Sequence, residues 1–190
     1  MKKGSIALLV ATAVIAIAGV TFAQQNPMVG GARMYRDKDI VDNAMHSADH
    51  TTLVSAVKAA GLVPTLKGKG PFTVFAPTNA AFEKLPDGTV DMLLKPENKE
   101  MLSNTLTYHV VAGNYDAKAL MRLIKKGHGT AMLKTVSGGT LTLMMGDMNG
   151  MMSKGIMIKD EKGGMANVTM ADVRQSNGVI HVVDSVLMPK

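Results

Sequence analysis

Histidine has the widest chemical range of the residue types in this chain, because it can be a metal ligand or a general base. The five histidines are His46, His50, His109, His128 and His181. His46 and His50 have the i, i+4 spacing of two ligands on one helix face, but Ser47-Ala48-Asp49 interrupts that helix. The glutamate of a zincin motif is also absent between them. We therefore predict that both are solvent-exposed polar residues and not zinc ligands.

Nucleophilic catalysis has no local signature in this sequence. The chain contains no cysteine and no Gly-x-Ser-x-Gly elbow. Without a marked nucleophile, the scattered histidines and acids do not define a reacting group. We therefore expect a protein that is not an enzyme and that needs no cofactor.

Methionine is unusually frequent, with 17 residues in a chain of 190. Six of them form a cluster within residues 144–157: Met144, Met145, Met148, Met151, Met152 and Met157. Thioethers in an exposed, glycine-rich loop would suit Cu(I) or act as a reversible oxidant sink. Methionine also serves as an adaptable apolar filler or contact surface. Its use elsewhere, as at Met28, favours that second interpretation, so we assign no metal site.

Tyr108 and His109 form the most conspicuous polar pair. One interpretation is a ligand-binding or catalytic pair, and the other is a buried hydroxyl and imidazole that satisfy backbone groups, as buried polar groups must. His181 lies between Val179 and Val183 on a strand, which favours a hydrogen-bonded core histidine. Asp184 follows directly and is placed to bond the chain where the strand ends.

The elements that must position these residues change character along the chain. Helical periodicity dominates the first part, and a period of two dominates from His128 onward. The strand predicted over 179–183 is apolar on both faces, so it should be central and covered on both sides. Helices first and strands last predict an α+β domain.

A compact corner lies between residues 70 and 82. Phe72 to Phe75 predicts a buried strand, Pro77 ends it, and Thr78 or Asn79 supplies the N-cap of a helix that carries Phe82. The string Gly-Pro-Phe-Thr-Val-Phe-Ala-Pro-Thr-Asn-Ala-Ala-Phe resembles the first conserved motif of the fasciclin (FAS1) domain. The segments 107–111 (Thr-Tyr-His-Val-Val) and 177–189 resemble its central Tyr-His segment and its second motif, in family order.

The resemblance implies a single FAS1 domain over residues 37–189, with a β-sandwich or wedge core and a layer of short helices. It implies secreted adhesion by non-catalytic binding to a cell-surface or matrix protein or polysaccharide, and favours the structural interpretation of Tyr108 and His109. The runner-up function is a periplasmic protein that binds soft metal or buffers oxidants with the methionine cluster. Motif residues with a mainly structural role, or a place at the adhesion surface, are Phe75, Pro77, Thr78, Asn79, Phe82, Tyr108, His109, Asn177, Gly178, His181, Asp184 and Pro189.

The N-terminus has the pattern of an export signal. Residues 1–23 combine Lys2 and Lys3, an apolar stretch, and small residues at the usual cleavage positions, which predicts a signal peptide and no stable membrane anchor after cleavage. Residues 24–36 then read as a flexible leader. Loss of the two lysines lowers the formal net charge from +6 to +4. The scattered basic residues predict no nucleic-acid binding, while weak attraction to anionic cell-surface polymers stays open.

Overall fold

The computed structural model describes residues 26–147 and 154–190, which fold into a mixed sheet with helices on both of its faces. The seven helices are α1 (Ile40–Ala44), α2 (Thr51–Ala60), α3 (Val63–Leu66), α4 (Asn79–Glu83), α5 (Thr89–Leu94), α6 (Lys99–Tyr108) and α7 (Ala117–Lys126) in that part of the chain. Its strands are β1 (Met28–Val29), β2 (Ala32–Arg33), β3 (Phe72–Pro77), β4 (Val110–Ala112), β5 (Thr130–Lys134), β6 (Thr140–Asp147), β7 (Lys154–Lys159), β8 (Met165–Gln175) and β9 (Gly178–Val183). Short 3₁₀ turns span Ala48–His50 and Pro96–Asn98.

Local chemistry sets several of the helix ends. Asp39 accepts a hydrogen bond from the Asp42 N–H at 2.8 Å and caps α1, and Asp116 accepts one from the Ala119 N–H at 2.8 Å and caps α7. Gly61 ends α2 with a φ of 73°, a conformation that glycine adopts without steric cost. Each of these signals is visible in the sequence: an aspartate directly before α1 and before α7, and a glycine directly after α2.

The main sheet has the strand order β4-β3-β9-β8-β7-β6-β5. β3 and β9 are parallel, and the other neighbouring pairs are antiparallel. Every residue of β9 is buried. One apolar core, which includes Val74 and Ile180, lies between β3, β9 and the N-terminal helices, and the second lies under α7 around Leu120 and Leu143. The predicted α+β class and the central position of the last strand are confirmed.

Residues 24–36 were predicted to be a flexible leader, but the part described from residue 26 is folded. β1 and β2 form a hairpin over residues 28–33, and Val29 and Met34 are buried in the first core. Gly30 and Gly31 turn the hairpin with positive φ angles, which favour glycine at both positions. The segment described from residue 26 is therefore packed against the domain.

The sequence pattern also predicts Thr89 as the N-cap of α5 and an inward-facing Met101 on α6, and the structure contradicts both. Gly88, with a φ of 77°, is the N-cap of α5, so Thr89 is inside the helix and does not cap it. Met101 was expected to face inward from α6 but is 52% exposed. Residues 165–175, predicted as a strand followed by an extended segment, form one continuous strand, β8, whose register along β9 shifts at two points.

Three of the six methionines in the cluster lie in strands. Met144 and Met145 lie in β6 and Met157 lies in β7, all half-buried, so these three are strand residues and not loop ligands. Met148, Met151 and Met152 lie outside the described residues. In the described part of the chain, none of the helices is long and apolar enough to cross a membrane.

Candidate functional site

The corner between β3 and α4 is joined to the end of β9. Pro77 is the last residue of β3 and lies beside Val183 in the parallel register. The Thr78 N–H donates to the Val183 carbonyl at 3.3 Å, and its hydroxyl accepts from the Ala81 N–H at 3.3 Å. Phe82 is buried in the first core. The corner is therefore held at both ends, by a sheet bond and by a helix cap.

Asn79 caps a different helix from the one predicted. Its Oδ1 accepts from the Thr52 N–H at 3.0 Å and from the Thr51 hydroxyl at 3.2 Å, and its Nδ2 donates to the Ala48 carbonyl at 2.8 Å. The residue at the N-cap of α2, His50, makes no capping bond with its side chain. Asn79 therefore satisfies the start of α2 from a distant point in the chain.

Asn177 joins three separate segments from a buried position. Its Oδ1 accepts from the Ile40 N–H at 3.0 Å, at the start of α1. Its Nδ2 donates to the Leu66 carbonyl at 2.8 Å and to the Gly68 carbonyl at 3.0 Å, at the end of α3. One amide side chain thus satisfies groups at the ends of two helices.

Gly178 follows at the start of β9, where the chain passes very close to β3. A Cβ atom at this position would lie 2.0 Å from the Phe72 carbonyl oxygen and 2.9 Å from the Phe72 nitrogen. Both obstacles are backbone atoms, so a side chain cannot be accommodated without moving a strand. The glycine is required by this approach of β9 to β3.

Tyr108 is fully buried at the end of α6. Its hydroxyl donates to the Thr140 carbonyl at 2.8 Å and accepts from the Glu161 N–H at 3.0 Å. Burial, the largest cause, raises the pKa of the phenol above its ordinary value, and the nearby Glu161 charge acts in the same direction. The neutral phenol therefore ties α6 to the segments that flank β6 and β7.

His109 is buried between α6 and the C-terminal segment. Its Nε2 accepts from the Leu187 N–H at 2.9 Å, so the proton of the neutral ring is on Nδ1, which donates to the Thr105 carbonyl at 2.8 Å. Burial lowers the pKa of this imidazole to about 4. Both ring nitrogens are therefore engaged by the backbone in the neutral state.

His181 lies fully buried in β9, with its ring stacked on Phe75 at a centroid separation of 5.7 Å. Its Nδ1 accepts from the Asp172 N–H at 3.4 Å, which places the ring proton on Nε2, the donor to the Tyr115 carbonyl at 2.8 Å. Burial lowers the pKa of this histidine as well. The geometry is that of a hydrogen-bonded core histidine.

Asp184 lies directly after the end of β9. Its two oxygens accept from the Asn167 N–H at 2.8 Å and the Asn167 Nδ2 at 2.9 Å, and the Ser185 hydroxyl donates at 3.1 Å. Burial opposes ionisation, but these bonds and the Lys84 charge outweigh it, so the pKa of Asp184 lies below its ordinary value. Pro189 lies beyond it, half-buried in the extended C-terminal segment.

The two histidines at i, i+4 are not on one helix. His46 is exposed, as predicted, but His50 is only 3% exposed, so the prediction for His50 was wrong. The reason is that α1 ends at Ala44 and a 3₁₀ turn follows, which directs His50 into the first core beside Ser47, whose hydroxyl lies 2.8 Å from Nδ1. Burial lowers the pKa of His50.

The motif side chains thus form a framework around the junction of β3 and β9. Their polar groups are bonded within the protein at Thr78, Asn79, Tyr108, His109, Asn177, His181 and Asp184. No group of three His, Cys, Asp or Glu side chains is placed to hold a metal ion in residues 26–147 and 154–190. The arrangement can position surfaces and loops. Sequence reasoning missed the distant partners of Asn79 and Asn177, for which no local signal exists.

Comparison with known proteins supports a family assignment. The family model of the fasciclin domain matches residues 48–189. Protein sll1483 of Synechocystis is 40% identical over 175 residues, which cover 92% of this chain and 87% of that protein. The cell surface glycolipoprotein MPB83 of Mycobacterium bovis is 34% identical over 175 residues, which cover 88% of this chain and 69% of that protein. These relatives extend over most of the domain described above.

The fold has a counterpart among solved structures. A FAS1 domain pair from the insect cell adhesion molecule fasciclin I matches with a TM-score of 0.70 at 19% sequence identity. The match covers 80% of this chain and 51% of that chain, which contains two such domains. The predicted FAS1 fold is therefore confirmed. The chain belongs to the fasciclin domain family.

Proposed function

We propose that this protein is exported and acts by non-catalytic binding at a cell surface or in the extracellular matrix. The pattern of residues 1–23 supports export, and a relative named as a cell surface glycolipoprotein supports a surface location. A fold shared with a named cell adhesion molecule agrees with the same role. The partner is a surface or matrix protein or polysaccharide.

The main support for the proposal is that the polar side chains of the motifs are hydrogen-bonded within the protein. The most reactive of them, His109 and His181, are neutral, buried and bonded to the backbone through both ring nitrogens. A general base needs a lone pair that a substrate can reach, and these imidazoles present none. Side chains used in this way maintain a rigid shape, which is what a binding module requires.

Binding of the labelled protein, purified after export, to the producing cells and their matrix tests this proposal. A saturable isotherm, measured across a series of salt concentrations, is the expected result. The same protein after thermal unfolding is the control, because a rigid surface binds only when folded. Equal binding by the folded and unfolded protein would contradict the proposal.

A second candidate function is soft-metal binding, favoured by one feature of the sheet. Met144 lies directly opposite Met157 across β6 and β7, and the alternation of β5 places Met132, 77% exposed, on the same face. Thioethers on one face offer Cu(I) the ligands that it prefers. A Cu(I) competition titration should show loss of binding in M144L/M157L and not in M28L/M101L, which removes two exposed methionines elsewhere. Equal affinity in both variants would refute this function.

A further inference from the structure

Helix α7 has an outer face made of basic side chains. Its apolar face carries Leu120 and Ile124, both fully buried in the second core. The opposite face consists of four exposed cationic residues, here called the basic ladder: Lys118, Arg122, Lys125 and Lys126. The first, second and last of these are spaced i, i+4 and i+8, so their Cα atoms follow one another along the helix at intervals of roughly 6 Å. Four of the basic residues that looked scattered in the sequence therefore lie on one surface.

Acidic residues are absent from this part of the chain. Residues 117–146 contain five lysines and arginines and no aspartate or glutamate. The two acids at the start of α7 are engaged: Asp116 accepts from the Ala119 N–H and pairs with Arg174 at 3.0 Å, and Asp172 accepts from the Ala117 N–H at 2.7 Å. Among the described residues, no salt bridge within 4.0 Å includes a member of the ladder.

The stability of α7 does not account for this arrangement. Like charges at i, i+4 destabilise a helix, and Lys118–Arg122 and Arg122–Lys126 are two such pairs. Lys118 also lies in the first turn, where the helix dipole disfavours a cation. Only Lys125 and Lys126, in the last turn, have a favourable position. The charge pattern is explained better by an external anion than by the helix itself.

We propose that the basic ladder binds an acidic polysaccharide of the cell surface or matrix. This inference rests on the proposed function and specifies its partner class. A row of cations one helical turn apart matches an extended polymer with a repeated carboxylate or sulfate, because successive charges on the two chains can be paired at the same time. Binding then releases the counterions of the polymer and depends strongly on salt.

The chemistry of the helix surface distinguishes this partner from two others. A basic helix that binds membranes inserts an apolar face between lipids, but the apolar face of α7 is buried in the core. A protein interface has an apolar centre, yet none of the large apolar side chains in residues 117–126 is exposed. An acidic polysaccharide carries charge along its whole length, so it requires neither an inserting apolar face nor an apolar centre on the protein surface.

The test compares two variants with equal net charge. K118Q/R122Q/K126Q removes three of the four charges of the basic ladder, and K69Q/K95Q/K99Q removes three exposed lysines outside α7. Glutamine is a good helix former, so the ladder variant should keep its fold, which circular dichroism checks. Binding to immobilised alginate, dextran sulfate and neutral dextran is measured between roughly 0.05 and 0.2 M salt, a range over which screening increases markedly.

The expected result is saturable binding to one or both acidic polymers and none to neutral dextran. The ladder variant should bind about tenfold more weakly or worse, and the control variant should bind within about twofold of the original protein. R122E, a single charge reversal at the centre of the ladder, should also bind more weakly. Equal weakening of the two triple variants would overturn the inference, because it would show an effect of net charge alone.

Two further outcomes would also overturn it: no binding to either acidic polymer, or tighter binding to vesicles of phosphatidylglycerol than to the polymers. Failure of the inference can be separated from failure of the proposed function by testing the same variants on cells. If the original protein and the ladder variant bind cells equally, adhesion stands and the ladder is not its basis. If the protein binds the polymers but not the cells, the basic ladder is supported as a polysaccharide site and adhesion to cells is refuted.

Discussion

Acidification should destabilise this fold through His109. The imidazole is neutral in the folded protein because burial lowers its pKa from 6.5 to about 4. Once the chain unfolds, the ring is solvated and takes up a proton near its ordinary pKa. Between these two values the unfolded state binds more protons than the folded state, so stability is lost as the pH falls through 6.5 and toward 4.

The size of the effect follows from the pKa difference. One pKa unit corresponds to about 1.4 kcal/mol, so a fall from 6.5 to about 4 predicts a loss of about 3 kcal/mol between pH 7 and pH 4. That is a large part of the roughly 5–15 kcal/mol by which domains are stable. His50 and His181, whose pKa values are also lowered by burial, should add losses of the same sign.

The contribution of His109 can be isolated with the variant His109→Gln. Urea unfolding is followed by circular dichroism at half-unit intervals from pH 7 to pH 4, for the original protein and the variant. The variant should be less stable at pH 7, because the Leu187 N–H and the Thr105 carbonyl lose their partner. Its stability should fall by about 3 kcal/mol less over this pH range, since glutamine does not titrate. Identical pH dependence in the two proteins, or a His109 pKa near 6.5 measured by NMR, would refute the reasoning.

Three substitutions test the framework at the junction of β3 and β9. Asn177→Ala removes three hydrogen bonds, two of them buried, and should lower the free energy of unfolding by about 3 kcal/mol in urea titrations; a loss below about 1 kcal/mol would show that these bonds contribute little. Asn79→Ala removes the cap of α2 and should cost about 1 kcal/mol, with faster amide exchange at Thr52 as its local sign, and unchanged exchange there would argue against the cap. Gly178→Ala should prevent folding or destabilise severely, because its Cβ would overlap the Phe72 carbonyl; a thermal midpoint close to that of the original protein would contradict this.

Much of the helical half could be predicted because its signals are local. Asp39, Thr78 and Asp116 each cap a helix with a bond that spans three residues, and such spacing is visible in the sequence. The alternation of Leu141 and Leu143 is likewise a local signal, and both are fully buried on the inner face of β6. In these cases short-range chemistry and tertiary structure agree.

The parts that could not be predicted depend on distant partners. Asn79 bonds to residues 27 and 28 positions earlier, and Asn177 bonds to Ile40 across 137 positions. An asparagine next to a proline corner or a glycine turn has a sufficient local explanation, so its distant role leaves no trace in the pattern. His50 was misassigned for the same reason, because only the packing of the first core shows that it faces inward.

The strand within the methionine cluster and the hairpin at residues 28–33 were not predicted, because glycine is found both in flexible loops and in strands and tight turns. Gly146 was taken as a loop residue, but it continues β6, where the flexible Met157 side chain lies over it. Residues 24–36 were predicted to be flexible, but Gly30 and Gly31 turn a hairpin of two-residue strands. Strands this short give no measurable alternation.

We propose that this fasciclin-family protein is a binding module of the cell surface or matrix. The most direct test is a competition isotherm, in which labelled protein is bound to producing cells with attached matrix and then displaced by increasing unlabelled protein. The expected result is saturable binding of the folded protein, which unlabelled folded protein displaces completely and thermally unfolded protein does not. Binding that is absent, or that rises linearly without displacement, would contradict it.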